Sequence, residues 1–267
     1  MGVGVKNLQE AWEWYRKFFG MDVPIFEEDA EAKLMLPYTG GKPRRRHAVL
    51  AMNLQSGGGF EIWQYKEREP REAINEIMAG DLGIFACKMK VKNIDDALDN
   101  YRKKGAVILG EPARDPLGRK TFFIRDPYNN HFQFVEATDW FLNERKVNGG
   151  AYGAIIGVTD IERSLKVYAG ILGYDDLMYD KSGVFDDFQS LPGGDHSFRR
   201  ILLRQSKPFM GAFSRLFGDS VIELISVKKR KASKIYEGRY WGDPGFIHLC
   251  YDIKGMDQLK EHCPKKG

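Results

Sequence analysis

Apolar and polar positions along the chain follow two periods in turn. From Val5, VKNLQEAWEWYRKFFG places Leu8, Ala11, Trp12, Tyr15 and Phe19 on one face of a 3.6-residue repeat, which predicts an amphipathic helix. Asn7 with Glu10 forms a capping signal ahead of it, and Gly20 supplies the left-handed residue that ends it. The period then drops toward two. Val23–Phe26 through Leu36, His47–Leu54 and Gly59–Tyr65 read as strands, with GGK and SGGG as turns. Strand-like residues also precede the helix, so the unit is β-α-β-β-β.

The same succession recurs. VTDIERSLKVYAGILGYDD, from Val158, matches VKNLQEAWEWYRKFFGMDV, from Val5, at a constant offset of 153, so that Tyr15 meets Tyr168 and Gly20 meets Gly173. FIHLCYDIKGMDQLKEHCPKKG, from Phe246, matches IFACKMKVKNIDDALDNYRKKGA, from Ile84, at an offset of 162, with Lys103-Lys104-Gly105 against Lys265-Lys266-Gly267. Repetition at this scale marks copies of one supersecondary unit. Asn93 and Asp160 stand as caps before the second and third helices, and GRKTFFIRDPYNNHFQFVEA reads as a hairpin turning at residues 126–130.

The fold class predicted is therefore α+β, with tandem βαβββ modules forming curved open barrels and helices outside. The first half spans residues 1–138, with modules at 1–65 and 84–138; a linker covers 139–150. The second half spans 151–267, with a module at 151–228 and an incomplete one at 245–267. REPREAINEIMAG, within the connection 66–83, reads as a short helix.

Composition narrows the class without naming a function. Of 267 residues 43% are hydrophobic and 29% charged, and the net charge of +4 is interspersed, which argues against a dedicated nucleic-acid binder. The basic run 228–231 reads as a solvated loop or strand end. No apolar stretch reaches the roughly 20 residues that a membrane helix needs. Cys87, Cys250 and Cys263 form no CxxC pair and read as reduced packing residues, which places the chain in the cytoplasm. No glycine-rich phosphate loop is present. A small-molecule substrate is the expected partner, and a homodimer stays open as the assembly.

The unit order, the helix endings in FG and LG, and the DPYNNHFQFVE hairpin together resemble the vicinal oxygen chelate superfamily of glyoxalases, bleomycin resistance proteins and extradiol dioxygenases. That resemblance implies metal ligands at two kinds of slot. One lies on each module's first strand, five residues before the Val or Ile that precedes the helix cap; the other lies on its last strand. The first-strand slots fall one residue before Met1, at Ala86, at Gly153 and at His248; the last-strand slots hold Glu61, Gln133 and Glu223. The resemblance also implies that a complete fourth module would continue past Gly267 for about the 31 residues that separate Ala106 from Glu136, with the fourth last-strand slot among them.

Two module pairings remain open, in sequence or first with last, and both use His248. The implied metal ligands are His248, Glu61 and Glu223, with Glu61 and His248 catalytic. Such a donor set suits Fe, Mn, Ni, Co or Zn. The implied activity is a divalent-metal lyase, isomerase or dioxygenase that chelates vicinal oxygens of a small substrate. The alternative is a metal-free binding or resistance-type protein. Buried carboxylates at positions 61 and 223 need a cation, which an arginine would supply as well as a metal. Arg45 and Arg46 on one strand and Arg199 on its counterpart are candidate contacts to an acidic substrate, and Trp63 and Gln133 are candidate pocket walls.

Overall fold

The computed structural model describes residues 1–207 and 211–263. The first module comprises β1 (Gly2–Gly4), α1 (Leu8–Phe19), β2 (Val23–Ala32), β3 (Arg44–Met52) and β4 (Phe60–Tyr65). The second comprises β5 (Gly83–Val91), α2 (Ile94–Lys103), β6 (Val107–Arg114), β7 (Lys120–Arg125) and β8 (His131–Glu136). The third comprises β9 (Asn148–Gly157), α3 (Ile161–Tyr168), β10 (Asp176–Gly183), β11 (Phe198–Arg204), a single turn α4 (Ser214–Phe217) and β12 (Val221–Val227). The fourth contributes β13 (Gly245–His248) and α5 (Met256–His262). Residues 265–267, matched to Lys103–Gly105 in the repeat, lie outside the described residues.

The strands form two curved sheets, of order β13-β1-β4-β3-β2 and β10-β11-β12-β9-β5-β8-β7-β6. Module one therefore pairs with module four, β1 running antiparallel to β13, and module two pairs with module three through β5 and β9. This resolves the pairing left open by the sequence. It also means that the two sheets are not the two sequence halves, since each sheet draws strands from both sides of residues 139–150.

The helix starts behave as their caps dictate. Asn7, Asn93 and Asp160 accept hydrogen bonds from the backbone N–H of Glu10, Asp96 and Arg163 at 3.3, 3.0 and 2.9 Å. Gly20 closes α1 in the left-handed region at φ 64°. On α1 the buried face is Leu8, Ala11, Trp12, Tyr15, Phe18 and Phe19, which joins Val3, Phe60 and Ile62 in the main core. Burying each large apolar side chain contributes roughly 1.5–3 kcal/mol. The Tyr15 hydroxyl donates to buried Asp126 in the β7–β8 turn at 2.8 Å, which ties the first helix to the second module.

Two expectations fail locally. Residues 66–82 contain no helix: Ile74 is 82% exposed, and Ala79 with partly buried Ile77 packs into a smaller core from irregular chain. It is fastened instead by Arg68 and by the Arg71 backbone N–H, both of which donate to the buried carboxylate of Asp243. The basic run at 228–231 is a loop but not wholly solvated, because Arg230 pairs with buried Asp81 at 2.7 Å.

Candidate metal centre

In the five-stranded sheet, residue 2 stands opposite both Glu61 on β4 and His248 on β13, so three strands bring these two side chains together. His248 Nε2 lies 3.0 Å from Glu61 Oε2 across 187 residues of sequence. Glycine at position 2 is required by space: a Cβ there would sit 2.5 Å from His248 Cε1. Glu61 and His248 are each about one-fifth exposed at the side chain. Burial pushes the Glu61 carboxyl up, yet the hydrogen bond and charge of His248, aided by Arg46, hold it below its usual range. Burial likewise pulls the His248 imidazole down, but Cys250 and Glu61 overcome it and raise it to about 9.

Nδ1 of His248 is buried and has no hydrogen-bond partner among the described residues. Nε2 already meets Glu61, so the free nitrogen is Nδ1, on the other side of the ring, and a buried imidazole nitrogen without a partner is one that a cation would satisfy. Cys250, two residues on, completes a group of three in which the donor atoms of Glu61, His248 and Cys250 all lie within 4.8 Å of one another. Cys250 is exposed, and burial, which alone would raise its thiol, is outweighed by His248, so the thiol lies below its ordinary value. Packing, expected of it from the sequence, is not its role. The signal available in the sequence was its place two residues after the His248 slot.

One side of this group is roofed. Trp241, from the connection between β12 and β13, stacks on the His248 ring at 5.5 Å and 17°, and meets Trp63 edge-on at 5.0 Å. Its backbone is held at both ends, the carbonyl by the Tyr65 hydroxyl at 2.5 Å and the N–H by the Tyr38 carbonyl at 2.9 Å. Cys250, alone of the three, also lines a cavity of about 410 Å³, together with Leu50, Met52, Leu172, Phe217 and Leu249. Its walls also carry the Gln205 and Ser214 side-chain oxygens, buried and without partners among the described residues.

The eight-stranded sheet holds the corresponding slots in a different state. Glu223 and Gln133 converge there, but with Lys88 between them: its ammonium lies 2.7 Å from Glu223 Oε2 and donates to Gln133 Oε1. Arg200 Nε donates to Glu223 Oε1 at 2.6 Å and its other nitrogens clamp Asp187; the Tyr179 hydroxyl also donates to Glu223 at 2.6 Å. Burial pushes the Glu223 carboxyl up, yet these cations hold it at about 2. The structure thus separates Glu223 from Glu61 and His248, and its cation is supplied by the chain itself.

The comparisons agree with this architecture. The sequence model of the Glyoxalase/Bleomycin resistance protein/Dioxygenase superfamily matches residues 1–134, half of the chain. The chain belongs to that superfamily. Among solved structures, two variants of glyoxalase I from Zea mays align over 86% of this chain and 68% and 67% of theirs, with TM-scores of 0.51 and 0.52 at 14% and 15% identity. A proposed dioxygenase from Bacillus subtilis aligns over 86% of this chain and 64% of its own, with a TM-score of 0.51 at 14% identity. At these identities the likeness is one of fold. No curated protein sequence matches.

Within this glyoxalase-superfamily fold the arginines divide. Arg46, in register with Tyr65 and on the concave side with Glu61 and Trp63, pairs with Glu28 at 2.7 Å. Arg45 is exposed beside Glu67, and Arg199 is bound at the surface by Asp180 and Glu162, both at 2.7 Å. The buried arginine of that strand is its neighbour Arg200. Ala86 and Gly153 offer no donor, as read from the sequence.

Proposed function

We propose that this chain is a divalent-metal-dependent enzyme of the glyoxalase/dioxygenase type, acting on a small oxygenated substrate held in the cavity beside Cys250. The observation that supports it is the meeting of Glu61 and His248 at 3.0 Å, with the imidazole's second nitrogen buried and orphaned. The donors fit a first-row metal: one carboxylate oxygen and one imidazole nitrogen, with a thiol in reach. When bound, such an ion supplies a Lewis acid that stabilises negative charge on adjacent substrate oxygens.

The chain's own residues do the rest. Trp241 fixes the plane of the imidazole and keeps water from one face, while Leu50, Met52 and Leu249 offer apolar surface to the body of a substrate. Gln205 and Ser214 oxygens are available to orient its polar groups. With Cys87, Cys250 and Cys263 all free, a reducing compartment such as the cytoplasm is the setting we propose. Among the described residues no helix is long and apolar enough to cross a membrane.

One observation favours a metal-free binding protein instead: His248, raised to about 9, is a cation at neutral pH and neutralises Glu61 by itself. Elemental analysis separates the two. The enzyme reading expects stoichiometric transition metal in the purified chain and its loss in His248→Ala and in Glu61→Gln. A wild-type protein that takes up no metal when dialysed against zinc, cobalt, nickel, manganese or ferrous salts would leave the binding protein as the answer.

A further inference from the structure

We propose that Cys250 is the third protein donor of the Glu61–His248 site, which makes it a site for zinc or cobalt rather than for manganese or magnesium. The inference rests on the metal-dependent reading above and adds the identity of the ligand and the class of metal.

Three observations converge on it. The first is distance, since the thiol sulfur lies within 4.8 Å of donor atoms on both Glu61 and His248, close enough that small side-chain rotations bring all three to bonds of about 2.0–2.3 Å from one ion. The second is access. Cys250 stands two residues past His248, just beyond the end of β13, and is the member of the group that lines the cavity. The third is the internal repeat. Subtracting the 162-residue offset from Cys250 gives Lys88, and Lys88 reaches the last-strand carboxylate of its own sheet, Glu223, at 2.7 Å. The position two after the first-strand slot is therefore built to address the last-strand carboxylate. In one sheet it carries an ammonium, which serves as the cation; in the other it carries a thiol, which serves as a donor to one.

Sulfur decides the metal. Magnesium and manganese favour sets of oxygen ligands, whereas zinc and cobalt accept mixed oxygen, nitrogen and sulfur donors, commonly in four-coordinate geometry. As the metal–sulfur bond forms, the thiol proton passes to water. Three protein donors would leave a fourth position for a substrate atom, and Cys250 borders the cavity of about 410 Å³ where a substrate would fit.

The test is optical and does not depend on turnover. The full chain is titrated with cobalt(II), and both the visible d–d bands and the near-ultraviolet sulfur-to-cobalt charge-transfer band are recorded. Wild type is expected to show both; Cys250→Ser should keep the visible bands, lose the charge-transfer band and bind zinc about tenfold or more weakly. Cys263→Ser should leave every signal unchanged. Visible bands in wild type with no charge-transfer band that depends on Cys250 would overturn the thiolate while leaving Glu61 and His248 as ligands. An absence of cobalt binding in wild type would overturn both. Far-ultraviolet circular dichroism establishes that the exposed Cys250→Ser substitution leaves the fold intact.

Discussion

Lys88 sets its ammonium 2.7 Å from Glu223 in the eight-stranded sheet at the place where, in the five-stranded sheet, Cys250 stands beside Glu61. The two half-barrels solve one electrostatic problem in two ways. A carboxylate on a buried last strand demands a positive partner, and the second sheet answers it from within with Lys88 and Arg200, both buried.

Removing one of these partners exposes the cost. Lys88→Met leaves Glu223 with Arg200 and Tyr179 but strips Gln133 of its donor and upsets a balanced network. Loss of one member of a buried ionic cluster destabilises by about 3–5 kcal/mol. Urea denaturation should show a loss of that order for Lys88→Met. Because the residues touch, the double variant Lys88→Met/Glu223→Met should cost less than the two single changes added together. Strict additivity would mean that the network is not coupled.

Acid should weaken the fold through His131. This ring is buried against Phe85, stacked at 4.9 Å and 22°, and burial, with a contribution from Arg125, pulls it down to about 4 from 6.5. With the folded value depressed, the unfolded chain binds the extra proton between these limits. The associated stability is therefore fully present above pH 6.5 and is lost as pH falls toward 4, amounting to about 3 kcal/mol at most. His131→Phe keeps an aromatic ring at the stack and cannot titrate. Melting curves across pH 4–7 should show a shallower acid limb for the variant than for wild type; parallel limbs would remove His131 from the account.

The repeats, the caps and His248 with Glu61 were legible because each is a local or periodic feature. Asn7, Asn93 and Asp160 announce helices to their immediate neighbours, and the offset of 162 that sets His248 against Ala86 carries the slots implied by the family resemblance from one module to another without any knowledge of packing. What escaped is non-local. Whether module one pairs with module two or with module four depends on which strand edges meet, and nothing within either strand states that. Lys88 was invisible as a counterion until β5 and β12 were known to flank β9. Trp241 lies in an irregular connection with no period to read, so its stacking on His248 appears only in three dimensions. Arg199 and Arg200 are adjacent on a strand and point to opposite faces, and the choice between them rests on which face is concave.

Gly2 gives a way to disturb the proposed metal centre without touching a donor. A methyl group there would lie 2.5 Å from His248 Cε1, well inside contact distance, so the imidazole must move. Gly2→Ala should leave the fold cooperative, yet lower zinc affinity by about 10–100-fold, the range seen when the residues that orient a ligand are altered. Isothermal titration with zinc is the measurement. An affinity equal to wild type would mean that the ring position does not matter to binding.

Trp241 offers the last test, because its effect on His248 has a definite sign. The indole covers one face of the imidazole and excludes water from it, and burial is the largest influence on that ring, acting to disfavour its charged form. Cys250 and Glu61 act in the opposite direction and already raise the ring to about 9. Trp241→Ala removes much of the burial while leaving Glu61 at its distance, so the imidazole should titrate at a higher pH than in wild type. Truncating so large an aromatic side chain also costs about 3 kcal/mol or more of stability, through lost packing against Trp63. Nuclear magnetic resonance titration of the His248 ring in metal-free protein reads the first effect and thermal denaturation the second. A ring that titrates at lower pH in Trp241→Ala would show that the stack favours the imidazolium, as a cation over an aromatic face does, rather than acting by excluding water.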